Sequence, residues 1–297
     1  MKNYLIWGVA LVVIIGAGYW LYKGQTSGPT QLTPLTPTQQ NATSTQGANN
    51  ERLEQIGTSV EGRPIEAYHF GEGDTEILFV GGIHGGYSWG TTLLAYELIK
   101  YLDANPQVVP ANERITVIPA LNPDGLNKVV GTTSPFVAAD VKATAAVQAE
   151  GRFNANKVDL SRNFDCEWKP TGVWQNKTVS GGTAAFSEPE SKAIQSYVES
   201  NKPDAVVVWY SAAGGVFASS CRNGVSQETT ALTKLYADAS GYKAYQSFDF
   251  YAITGDMVNW LAKQNVPAIS VLLTTHGGVE WDKNRAGIEA VLKEYAQ

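Results

Sequence analysis

Histidine is the scarcest of the chemistry-bearing side chains here. Three occur in 297 residues: His69, His84 and His276. A catalytic metal of the hydrolytic kind takes about three protein ligands from His, Asp, Glu or Cys and keeps one position open for water. Cysteine is nearly absent too. Cys166 and Cys221 have a spacing that fits neither a zinc knuckle nor a redox pair. They read as two small buried hydrophobes, or as one disulfide if the domain lies outside the cytoplasm. Charge is sparse at 17%, with 22 basic against 28 acidic residues and a formal net charge of −6. No basic run is present, so nothing in the sequence supports binding to nucleic acid or to an anionic surface.

Two stretches lack charge altogether. Residues 4–22, YLIWGVALVVIIGAGYWLY, lie between Lys2 and Lys23. As a helix, 19 residues span roughly 28 Å, close to the hydrocarbon thickness of a bilayer. Tyr4, Trp7, Tyr19, Trp20 and Tyr22 are placed as interfacial anchors. A cleaved signal peptide is the competing reading, but the run is long for one and no A-x-A-like site follows. The expectation is a transmembrane anchor over residues 1–23, with the large domain behind it extracytoplasmic. From Gly24 to Asn50 Thr, Gln, Pro, Ser and Asn dominate the chain. That composition cannot bury enough surface to fold and predicts a disordered linker. Asn41-Ala42-Thr43 is a formal glycosylation sequon.

The whole sequence is 43% hydrophobic, and the remaining chain, residues 51–297, is long enough for one large core. Residues 53–70 read as two short strands around Glu61-Gly62-Arg63-Pro64, a turn signal. Continuous apolar runs at 76–80, 114–119, 204–210 and 268–273 read as strands, the last two covered on both faces. Helical spacing appears at 91–102, 229–239, 256–264 and 284–295. Asn122-Pro123-Asp124-Gly125 reads as a turn. Ser187 reads as the N-cap of a helix running to about residue 200, with Glu190 completing a capping box. Strand–helix alternation over this length predicts one α/β domain with a mixed sheet.

The stretch Phe79-Val80-Gly81-Gly82-Ile83-His84-Gly85-Gly86-Tyr87-Ser88 stands out. It places a histidine at the carboxyl end of a buried strand, where open α/β sheets build their sites. Its glycines allow a close approach to the backbone. His69 falls in the early strands and reads as a surface or hairpin histidine. His276 follows the 268–273 strand and could reach the same end of the sheet as His84.

Six motifs then occur in a definite order: GGIHGGY, NPDG, GRFNANKVDLSRNFD, GGTAAFSEPES, VVVWYSAAGG and PAISVLLTTH. In that order, over about residues 53–295, the chain resembles the zinc carboxypeptidase family, the carboxypeptidase A-like metallopeptidases, in a bacterial extracytoplasmic branch. The resemblance implies a single α/β/α domain with a mixed, twisted, roughly eight-stranded sheet and a site at the carboxyl ends of its central strands. Carried over by position, the family's first zinc histidine falls on His84. Its zinc glutamate falls on Ser88, or on Tyr87 if the spacing is one shorter. Its second zinc histidine falls on Tyr210 and its general-base glutamate on Leu272. The asparagine that helps hold the substrate carboxylate falls on Ser161, beside a retained Arg162. The carbonyl-polarising arginine falls on Arg152. The resemblance also brings Cys166 and Cys221 to the cleft, where a disulfide would staple its floor.

A phenol with pKa near 10 is a poor zinc ligand at pH 7, Ser adds a weak neutral oxygen, and Leu cannot carry a proton. Losing a catalytic base alone costs about 10²–10⁴-fold. The expectation is therefore a membrane-anchored carboxypeptidase-like domain without zinc or peptidase activity, which holds peptide or cell-wall peptide C-termini through Arg152, Ser161 and Arg162. His84 is then a remnant ligand, and no cofactor is expected. The alternative is an active zinc carboxypeptidase with substitute ligands, His276 beside His84. A third reading, a serine nucleophile at Ser211 or Ser88, meets the absence of a G-x-S-x-G elbow and of an evident acid to orient His276.

Overall fold

A computed structural model describes residues 52–296. The expected anchor over 4–22 and the linker over 24–50 lie outside the described residues. Among the described residues, no helix is long and apolar enough to cross a membrane.

The sheet grows from runs whose alternate side chains face opposite ways. Its strands are β1 (Leu53–Thr58), β2 (Pro64–Phe70), β3 (Thr75–Val80), β4 (Glu113–Ile118), β7 (Ala205–Ser211), β8 (Gly215–Ala218), β9 (Ala244–Tyr245) and β10 (Ala268–Leu273). They lie in the order β1-β2-β4-β3-β7-β10-β8-β9. The centre is parallel, with β4, β3, β7 and β10 side by side, and the flanks carry the antiparallel pairs β1–β2, β2–β4 and β10–β8. This is the mixed eight-stranded α/β arrangement the sequence predicts. A separate hairpin pairs β5 (Thr171–Trp174) with β6 (Lys177–Ser180).

Both faces of the sheet are covered, which is why the central strands are largely apolar along their length. On one face Leu78, Val80, Val206, Val208 and Leu272 pack with Ala193, Ile194, Tyr197, Met257, Trp260 and Leu261. Those partners come from α4 (Pro189–Asn201) and α6 (Met257–Lys263). On the other face Ile77, Phe79, Val207, Trp209, Ile269 and Val271 pack against α1 (Trp89–Ala104), α5 (Gln227–Ser240) and α7 (Trp281–Tyr295). Two short helices, α2 (Pro123–Val130) and α3 (Ala145–Glu150), flank the exit of β3 and β4.

Two local expectations are corrected. Asn122-Pro123-Asp124-Gly125 is the start of α2 rather than a free turn. Asn122 is its N-cap and accepts from Gly125 N at 2.9 Å, with Pro123 in the first turn. Ser187 does not cap α4. The N-cap is Glu188, without a side-chain cap bond. Ser187 Oγ instead donates to Glu188 Oε1, and Glu190 turns away to accept from Val60 N and Asn154 Nδ2. Tertiary partners for the carboxylate displace the local capping box.

At the far edge of the core, Glu113 is fully buried and both its carboxylate oxygens lack a hydrogen-bond partner. Burial pushes its carboxyl up to about 7. A folded-state pKa raised above the unfolded value gives stability that is present at low pH and is lost as pH rises through the folded pKa. The Glu113→Gln variant does not titrate. Chemical denaturation of both proteins from pH 4.5 to 8 should therefore show the variant gaining on the parent as pH rises. A constant difference would contradict the assignment.

Candidate functional site

The carboxyl ends of β3, β7 and β10 meet at one cleft, a cavity of about 600 Å³. β3 delivers His84 through Gly81 and Gly82. Gly82 has a left-handed φ of 65°, and a Cβ there would strike Thr92 Oγ1 and Ala120 Cα. A Cβ on Gly86 would stand 2.3 Å from Val129. The glycines thus serve close approach as expected, and what approaches is the protein's own chain, chiefly α2. β7 delivers Tyr210, and β10 delivers Leu272 directly beside it in parallel register.

His84 is 7% exposed. Its ring meets the Tyr210 ring edge-on, with centroids 5.4 Å apart. Its Nε2 is buried without a hydrogen bond and lies 3.7 Å from Asp159 Oδ1. Burial, with the nearby Arg152 charge, holds its pKa well below the usual histidine value. It is a neutral imidazole at physiological pH.

Asp159 is the cleft's buried anion. It accepts from Arg152 Nε at 2.8 Å and from Ser161 Oγ at 2.8 Å. Burial alone would raise its pKa, but the charges of Arg152 and Arg162 and the hydrogen bond from Ser161 bring it down to about 2. Arg152 Nη2 reaches Ser161 Oγ at 3.4 Å, and its guanidinium packs over the rings of Trp174 (4.8 Å) and Tyr87 (5.7 Å). Arg152 and Ser161 are therefore held by the protein itself.

Arg162 differs. It is 2% exposed, its Nη2 donates to the Val173 carbonyl at 3.1 Å, and its Nε has no partner. Among the described residues no carboxylate lies within 4 Å of it. Tyr251 stacks its ring against the guanidinium at 5.5 Å. The β5–β6 hairpin touches both arginines, Val173 and Gly172 at Arg162 and Trp174 at Arg152.

Tyr210 Oη donates to Asp256 Oδ1 at 3.0 Å. Burial, with Asp256 beside it, raises its pKa well above the usual value. Burial also raises Asp256. Of the two positions the missing glutamate could occupy, Ser88 Oγ bonds Ser211 Oγ at 2.6 Å, while the Tyr87 ring lies against His276 (4.1 Å) and Trp174 (5.0 Å). His276 does reach this end of the sheet, where its Nδ1 bonds Ser211 Oγ at 2.7 Å; burial, with the Arg152 charge, lowers its pKa. His69 stays on β2, bonded to Thr116 and Glu54.

The donors do not fit a zinc ion. Zinc wants thiolate, imidazole or carboxylate ligands in a tetrahedral set. Among the described residues no three His, Cys, Asp or Glu side chains converge on one point. Tyr210 is a protonated phenol whose hydrogen goes to Asp256, and His276 is engaged with Ser211.

Cys166 and Cys221 form a disulfide, with Cα atoms 6.0 Å apart. Cys166 also accepts from Gly255 N through its carbonyl, and Gly255 in turn accepts from Phe164 N. The bridge therefore ties the Ser161–Phe164 segment and the segment after β8 beneath the cleft. Sequence reasoning missed Asp159, Tyr251 and Asp256. Asp256 carried a usable signal as an acidic residue opening a helical pattern, and its side chain does accept from Val258 N. Nothing in the sequence signals that it also meets Tyr210.

Comparison with known proteins gives a consistent result. The profile of the family described as zinc carboxypeptidase matches residues 40–280. Carboxypeptidase D of Mus musculus is 29% identical over 164 residues, 51% of this chain and 10% of that protein. The chain thus spans about a tenth of the carboxypeptidase D proteins it matches. Murein-tripeptide amidase MpaA of Escherichia coli O157 superposes with a TM-score of 0.57 at 18% identity, over 82% of this chain and 92% of that one. Bovine thrombin-activatable fibrinolysis inhibitor, solved with a tick carboxypeptidase inhibitor, gives 0.65 at 15% identity, over 84% and 90%. At these identities the two structures speak for the fold alone.

Removing one partner of a buried ion pair leaves the other charge uncompensated and costs about 3–5 kcal/mol. Asp159→Ala should lower the unfolding free energy in urea by about that amount at pH 7. A loss below about 1 kcal/mol, the range of exposed pairs, would mean that Asp159 does not carry the cleft's charge balance.

Proposed function

The chain belongs to the zinc carboxypeptidase family, and from that premise we propose that it works as a non-cutting member, which holds the C-terminal carboxylate of a peptide in the family cleft without catalytic zinc. The observation that carries this reading is Arg162. A buried guanidinium with one carbonyl for a partner is costly, and the groups that complement it best are planar anions held bidentately. Arg152 is already matched by Asp159, so among the described residues Arg162 is the buried cleft cation left for a ligand. A peptide terminus entering the cavity supplies the missing carboxylate, with Tyr251 over the guanidinium and Phe217 and Phe248 along the wall.

The rest of the cleft supports binding without hydrolysis. Leu272 stands where the family has its proton-transfer carboxylate and cannot exchange a proton. Tyr210 and Ser88 stand at zinc-ligand positions, and each gives its polar atom to a protein partner. The chemistry that a bound metal supplies in this family, a polarised carbonyl and an activated water, therefore has no holder here. Cell-wall peptides are one ligand class in view, since a relative of this fold is a murein-tripeptide amidase. The uncharged run over 4–22 supports a tether that keeps the domain at the outer face of a membrane.

Three measurements test the reading. Metal analysis of the purified protein should find far less than one zinc per chain, and peptides should release no C-terminal amino acid; stoichiometric zinc would overturn it. A short peptide with a free C-terminus should bind at least about tenfold more tightly than its amide, the value of a hydrogen bond to a charged group. The Arg162→Gln variant should erase that difference in calorimetry. The combined change Ser88→Glu, Tyr210→His and Leu272→Glu should restore zinc binding. A stable triple variant that takes up no metal would show that these are not the ligand positions.

A further inference from the structure

A hydroxyl pair and an imidazole remain unused once the cleft's charges are assigned. Ser211 closes β7. Its Oγ is bonded on one side to His276 Nδ1 and on the other to Ser88 Oγ. The three residues arrive from the ends of three strands, with Ser88 and Ser211 separated by 123 residues and Ser211 and His276 by 65. The His276 ring is packed on Tyr87, and its carbonyl accepts from Gly90 N at 3.0 Å, so the imidazole is fixed by contacts on the ring and on the backbone. Ser211 and His276 both line the cavity.

The backbone turns sharply at this point. Ala212, directly after Ser211, has φ of 73°, a left-handed conformation that costs a non-glycine residue about 1 kcal/mol or more and tends to be kept at functional positions. It is pinned there by Ala212 N and Ala213 N, which both donate to the Leu273 carbonyl, at 2.7 and 3.2 Å. The turn that sets the direction of the Ser211 side chain is thus over-determined by the next strand. Arg152 lines the same cavity and packs on the same Tyr87 ring, and among the described residues its Nη1 has no hydrogen-bond partner.

We propose that Ser211 is a nucleophile and His276 its general base, with carboxylic esters as acyl donors, by a route that needs no metal. In the reactive arrangement Ser211 donates to His276 Nδ1, and Ser88 donates to Ser211 Oγ. Ser211 Oγ forms a bond to the ester carbonyl carbon, and its proton passes to Nδ1. The tetrahedral oxyanion forms facing the Arg152 guanidinium. As it collapses, the carbon–oxygen bond to the alcohol breaks and His276 returns the proton to the departing oxygen. Water then attacks the acyl-serine with His276 as base again, releasing the acid and restoring the hydroxyl. Nothing is oxidised or reduced. This chemistry is independent of carboxylate binding at Arg162, and calorimetry with a free-terminus peptide reads that binding separately.

The test is covalent labelling of the purified full-length protein with an alkyl fluorophosphonate in the presence of EDTA, read by intact mass and peptide mapping. The expected result is one adduct, on Ser211, formed at the same rate with and without the chelator. Ser211→Ala should abolish it. His276→Ala should slow it by at least about a hundredfold, the lower range for a general base. His276→Gln provides a second variant should alanine impair folding, and each variant is compared by its melting profile. A folded parent that forms no adduct, an adduct on another residue, a rate that depends on the chelator, or parental labelling in a folded His276 variant would each overturn the proposal.

Discussion

The Asp159 carboxylate accepts from Arg152 and from Ser161 and lies within 4 Å of His84, all of them buried. An isolated charge at that depth would cost several kcal/mol, so the arrangement stands only because the positive and negative groups are placed together. Its consequences spread outward. The pair fixes Arg152, and Arg152 fixes the Tyr87 and Trp174 rings through its guanidinium face. Tyr87 then braces His276, and Trp174 brings the β5–β6 hairpin across the cleft. Among the described residues, the charge balance around Asp159 leaves Arg162 in the cleft without a carboxylate of its own.

The sheet explains why such distant residues meet. Four parallel central strands end on the same side, so each delivers its last side chains to the same region. The parallel register of β7 and β10 sets Tyr210 beside Leu272. In a metal enzyme, strand ends of this kind are joined through an ion. Here Ser88, Ser211 and His276 join the ends of β3, β7 and β10 through two hydrogen bonds, and Tyr210 is tied to Asp256 at the head of α6. The crossing point of the fold is held by neutral and paired groups.

Much of this was legible in the sequence because it depends on period and order. The runs at 76–80, 204–210 and 268–273 are strands because they are almost wholly apolar, and the six ordered motifs carry the family resemblance that implies the fold. The convergence of His84, Tyr210 and Leu272 followed from the motif order. Less legible were features in which a side chain chooses between a near and a far partner. Ser187 and Glu190 have the local pattern of a capping box, yet Asn154 and Val60 offer Glu190 a better one. Asn122-Pro123-Asp124-Gly125 suits a turn and a helix start equally until the chain that follows is packed. The sequence offers Ser211, Ser88 and His276 as candidates but not the hydrogen bonds that join them, because serine is common and its partners lie on other strands. Glu113 was invisible for the same reason: a glutamate at a strand start is ordinarily solvated, and only packing buries it.

The hairpin formed by β5 and β6 grips Arg162 through the Val173 carbonyl and Arg152 through the Trp174 ring, two adjacent residues on one rigid ribbon. Both guanidinium groups thus rest on neighbouring residues of one hairpin, and a ligand that competes with the Val173 carbonyl for Arg162 would act one residue away from the ring that carries Arg152.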